Sequence, residues 1–135
     1  MFHLLDRFLG VCLKGTATRN LKTLEKSYTR ASDLLHKILL LSEIDPRPTK
    51  IDSQDRIRIM LQSTKIELAG IKTFLKEIQN GTMPSDMLLR IITLSSIQLR
   101  QNKEYEENLL KIHTEYDRFA DLILNNSPSH NIWVN

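Results

Sequence analysis

Arg19, Lys22, Lys26, Arg30 and Lys37 recur at steps of 3, 4, 4 and 7. On an α-helix, at about 100° per residue, they fall within about 80° of one line. Only Asp33 interrupts the row. A cationic row of this kind can neutralise phosphates, with an affinity that falls as salt rises. It suits an acidic protein or an anionic membrane surface equally well. Aromatic side chains are not interleaved among the basic ones, which argues against a single-strand platform.

The other reactive side chains do not converge. His3, His36, His113 and His130 include no pair three or four residues apart. Cys12 is the only cysteine, so the chain holds no internal disulfide and suits a reducing compartment. Its expected role is that of a small buried apolar group. Glu104, Glu106, Glu107 and Glu115 cluster late in the chain, but no Glu-x-x-His of the bundle-metal type accompanies them. They read as a solvated acidic face. Ser95 and Ser96 have no nearby base in the sequence, and four scattered glycines build no phosphate loop. The expectation is a protein without metal, cofactor or small-molecule substrate, and not an enzyme.

These residues sit on long helical stretches. The chain has 135 residues, 41% apolar and 26% charged, which suits a single domain with one core. Its net charge of +3 is carried by the first fifty residues. They hold nine Lys/Arg against five Asp/Glu, whereas residues 51–135 hold ten against eleven.

A short amphipathic helix is predicted over 2–13, with Phe2, Leu5, Phe8, Leu9 and Cys12 on one face and a turn at Gly15–Thr16. A second helix is predicted over 19–43, N-capped by Thr18. Its seam is Leu21, Leu24, Tyr28, Ala31, Leu35 and Ile38, with heptad spacing. Pro46 and Pro48 end it. A third is predicted over 53–79, capped by Asp52 or Ser53, with Ile57, Leu61, Thr64, Leu68, Ile71, Leu75 and Ile78 as its seam. Asn80-Gly81 is its left-handed stop.

The fourth is predicted over 85–124, capped by Ser85. Leu88, Ile92, Ser95 and Leu99 open its seam, and Tyr105, Leu109, Ile112, Tyr116, Phe119 and Ile123 continue it. A helix of this length either overhangs its partners or bends near Ser95–Asn102, where polar seam positions suit a bend or exposed hinge. The expected fold is all-α: an antiparallel bundle of three long helices plus a short N-terminal amphipathic helix, one domain over 1–124 with a C-terminal tail over 125–135. No stretch reaches the ~18 apolar residues of a membrane span. The start lacks the pattern of a secretory signal, so the expected location is intracellular, cytoplasmic or nuclear.

The string Ile78-Gln79-Asn80-Gly81-Thr82-Met83-Pro84-Ser85-Asp86 resembles the interhelical junction of some BAG domains, which bind a heat-shock chaperone. It is also similar to the helix-Gly-x-x-Pro-helix junction in the tenth subunit of the Mediator complex. Both resemblances cover about nine residues. They imply a non-enzymatic helical interaction protein, and no functional residue is carried over from either.

The functional expectation is a protein–protein interaction module, a subunit or adaptor of a larger assembly, or one that pairs with its own kind. Its contacts are expected at Phe2, Leu5, Phe8, Leu9, Tyr116, Phe119 and Trp133. The alternative is nucleic-acid or ribonucleoprotein binding through Arg19, Lys22, Lys26, Arg30 and Lys37. Membrane binding is disfavoured, because the polar face of the first helix is poor in lysine.

Overall fold

The long stretches between breakers form three α-helices in a computed structural model that describes residues 2–125: α1 (Phe2–Ser42), α2 (Lys50–Gln79) and α3 (Ser85–Asn125). The side chains of Phe2, His3 and Asp6 lie outside the description. No strand occurs among the described residues, and no helix there is long and apolar enough to cross a membrane. α1 packs along both α2 and α3.

The predicted seams supply most of the core; on α3, Ile91 from outside the predicted seam is buried and Ile112 from within it is exposed. All six residues from Leu21 to Ile38 in the α1 seam are buried, together with Ala17. One apolar cluster joins Ala17, Leu21, Leu24 and Tyr28 to Ile71, Ile78, Leu88 and Ile91. A second joins Ala31, Leu35 and Ile38 to Ile57, Leu61 and Leu109. The early half of α1 thus meets the late half of α2, so these two helices are antiparallel. α1 and α3 run parallel. The Asn20 amide donates to Ser95 Oγ, and the Asn102 amide donates to Ser27 Oγ, the partners in each pair lying 75 residues apart.

Between the two apolar clusters lies a polar level. Ser27, Thr64 and Asn102, one from each helix, are buried there. The Asn102 amide donates to Ser27 Oγ at 3.3 Å and its carbonyl accepts from Gln98 at 2.8 Å. Thr64 satisfies itself on the Met60 carbonyl at 2.7 Å. A buried polar group without a partner would cost free energy, and none of the described side chains is left in that state.

Several local expectations are corrected. There is no separate N-terminal helix and no turn at Gly15–Thr16: α1 is continuous for 41 residues. A glycine inside a helix costs only about 1 kcal/mol, and Gly10 and Gly15 both stay out of the positive-φ region. Leu13 and Ala17, which flank Gly15, both pack on the first cluster, so tertiary contacts hold the helix together across it. Thr18 is therefore a mid-helix residue and not a cap.

α3 shows no interruption at Ser95 or Asn102, because both polar groups face α1 and find partners there. α2 begins at Lys50, ahead of Asp52 and Ser53, and its N-cap Thr49 makes no side-chain capping bond. Ser85 is the first residue of α3 and not its cap; the Pro84 carbonyl accepts the Leu88 amide at 3.0 Å.

The α2–α3 junction forms as predicted. Gly81 has φ of 74°. Its amide donates to the Ile78 carbonyl at 3.1 Å, and Thr82 N–H donates to Glu77 at 3.2 Å. These are the two bonds of a Schellman stop, and they satisfy the last carbonyls of α2.

Candidate functional site

The N-terminal turns of α1 have no cover among the described residues. The 75-residue offset between bonded positions sets Ser85, where α3 starts, level with Gly10. α2 ends near the level of Ala17, which shares a cluster with Ile78. Residues before Gly10 therefore extend past both neighbours as a helical arm. Leu4, Leu5, Phe8 and Leu9 on it, and Val11 just after it, are 55–72% exposed. Five large apolar side chains at the start of one helix amount to several hundred Å², at the upper end of what monomers expose (about 300–600 Å²). Cys12 is also exposed, contrary to expectation. α1 first touches the core at Leu13, so the cysteine lies just outside it.

The other predicted contact residues fare differently. Tyr116 is half-buried against the second apolar cluster. Phe119 is half-buried beneath Arg47, whose guanidinium carbon lies 5.6 Å from the ring centre. Trp133 and the side chain of Phe2 lie outside the described residues. The late seam of α3 is partly closed: Leu109 is buried and Tyr105 packs beside it, while Ile112 stays exposed. The cover comes from Leu34, Leu35 and Ile38 of α1.

Arg47 belongs to a clasp at the α1–α2 loop. Asp45 is buried and accepts the Arg47 backbone amide at 2.9 Å and its Nη2 at 2.6 Å. The hydrogen bonds from Arg47 hold the Asp45 carboxyl below its usual range. Gln54 ties the same loop by donating to Ser42 Oγ and to Glu43 Oε1, both at 3.0 Å. The clasp pins the loop against the end of α3. Its groups bond one another, which suits a fastening more than a reactive site.

The basic row lies on the exposed surface of α1, as its spacing required. Arg30 is engaged by Glu106 of α3 at 3.1 Å. Asp33 and Lys37 share a shallow depression with Lys103, Glu106 and Glu107. Arg19, Lys22 and Lys26 take part in no ion pair among the described residues. No group of three or more His, Cys, Asp or Glu placed to hold a metal occurs among those residues.

One feature was not anticipated. No Cα of α2 comes within 8 Å of a Cα of α3, so the two helices are splayed over α1. The resulting groove encloses about 340 Å³, floored by Leu21, Leu24 and Tyr28 and walled by Phe74 and Leu94. It continues past Tyr28 toward Ile59 and Tyr105. The sequence carried a signal for it. Ile59 and Ile66 form a second apolar line on α2, on the face turned away from the seam that enters the core, and both are exposed. Comparisons with protein families, with curated proteins and with solved structures found no match.

Proposed function

We propose that this chain is a non-enzymatic protein-interaction module, a subunit or adaptor of a larger assembly. The observation that carries the reading is the α1 arm, the exposed start of a helix whose apolar side chains Leu4, Leu5, Phe8 and Leu9 find no cover among the described residues. A partner with an apolar groove would receive Leu5, Phe8 and Leu9 as helix anchors. The triple change Leu5→Ser, Phe8→Ser, Leu9→Ser removes these anchors without touching a core residue. Quantitative crosslinking in cells is expected to lose its main partner bands with this variant while the chain stays folded. Unchanged bands would refute the arm as the contact.

A second reading rests on Arg19, Lys22 and Lys26 of the basic row, which take part in no ion pair among the described residues. They would hold a polyanion such as nucleic acid. Binding that weakens steeply with salt, and disappears in Lys22→Glu/Lys26→Glu, would support it. Salt-independent capture lost only with the arm variant would favour the first reading.

A further inference from the structure

The splayed α2–α3 face carries a pattern that bears on what covers it. On α2, Arg56, Ser63, Gly70 and Glu77 recur every seven residues and so share one stripe. The stripe reads basic, small, small, acidic, and Ile59, Ile66 and Phe74 border it. On α3, Arg90, Ile97 and Glu104 recur every seven residues and read basic, apolar, acidic. Both stripes therefore reverse sign about their own midpoints, between Ile66 and Glu67 on α2 and at Ile97 on α3. The two midpoints stand at one level of the fold, since Glu67 and Gln98 together line both sections of the groove.

We propose that this face binds a second copy of the chain about a two-fold axis that crosses the helices at that level. Such an axis lays α2 antiparallel on α2 and α3 antiparallel on α3. Arg56 then meets Glu77 of the second copy, Arg90 meets Glu104, Ser63 meets Gly70, and Ile97 meets itself. A two-fold contact needs a surface complementary to itself, and a sign-reversing stripe has that property. Arg56, Glu77, Arg90 and Glu104 are all exposed, and none takes part in an ion pair among the described residues.

Two further observations agree. A Cβ added at Gly70 would meet nothing within 4 Å, so the fold of one chain does not require glycine there. A neighbouring backbone approaching at the Ser63–Gly70 crossing does use it. Ile59, Ile66, Phe74, Met87, Leu94 and Ile97 are all exposed on or beside this face. Two helices about 20 Å across and nearly 30 Å long outline roughly 600 Å². Counted as corrugated accessible surface, that approaches the ~800 Å² per partner of a stable interface.

The proposal shares no residue with the α1 arm, so the two stand or fall separately. Sedimentation equilibrium of the full chain over a concentration series is expected to show a reversible monomer–dimer equilibrium. R56E sets like charges together at two symmetric places and is expected to weaken association about tenfold. E77R does the same, and R56E/E77R together restore it. R90E with E104R supplies an independent pair should the first fail to fold, as checked by circular dichroism. Gly70→Ala is expected to leave the monomer as helical as before, or more so, while weakening the dimer.

A chain that stays monomeric throughout the series overturns the proposal. So does a dimer indifferent to both charge reversals, or one lost with the Leu5, Phe8 and Leu9 changes instead.

Discussion

Two side chains at the α1–α2 loop show how a few atoms set a pH response. The Arg47 guanidinium favours the charged form of Asp45 in the folded chain, so the folded carboxyl ionises at lower pH than the unfolded one. The resulting stability is present above the ordinary carboxylate range and is lost as pH falls through the lowered folded value. Thermal unfolding followed from about pH 6 down to pH 2 is expected to show the wild type losing more stability than Arg47→Ala. Parallel curves would remove the clasp as a source of pH sensitivity.

Asn102 poses a different question at the same scale. Asn102→Ala deprives the buried Ser27 hydroxyl of its donor and leaves a hole. It is expected to cost about 1–3 kcal/mol in urea unfolding. Adding Ser27→Ala removes the stranded group and is expected to return part of that loss. The sequence placed Asn102 within the α3 seam but suggested a hinge. Its partner lies 75 residues away, beyond the reach of any pattern within one helix.

At the scale of elements, glycines with the same chemistry have opposite meanings. Gly15 lies inside α1 with open space where a Cβ would stand. Gly15→Ala is expected to stabilise the fold by roughly 0.5–1 kcal/mol, mainly through the unfolded chain's entropy. Gly81 holds a positive φ in the stop of α2, so Gly81→Ala is expected to destabilise by about 1 kcal/mol. Calorimetric melting of both variants checks the pair, and equal signs would contradict this account.

The stop at Gly81 was legible because a helix end needs a left-handed residue and Asn-Gly supplies one. The continuity through Gly15 was not, because it depends on Leu13 and Ala17 finding α2 and α3. Helix periods, seam residues and the stripe on α1 were all readable from spacing alone. The exposure of Cys12 and of the arm was not, since it follows from where α2 stops and α3 starts.

For the molecule as a whole, helix length decides which surfaces are left over. α1 and α3 have 41 residues each and α2 has 30. Parallel long helices offset from one another cannot both be covered by a shorter third. The arm of α1 is left at one end, and Leu122 and Leu124 of α3 stay exposed at the other. The splay of α2 from α3 leaves the lateral face. The arm and the lateral face each have their own test above, and the two are separable because no residue belongs to both.

The parallel pairing of the first and last helices also sets the order of events during synthesis. The residues that close over α1 from one side lie 75 or 76 positions downstream, in the final third of the chain. While a ribosome is still making α3, the hydroxyl of Ser27 and the guanidinium of Arg30 wait in water, and Leu35 lacks half its neighbours. Until α3 emerges, the first two helices share only a partial core, so the nascent chain is most open to proteolysis or sticking before α3 docks on α1.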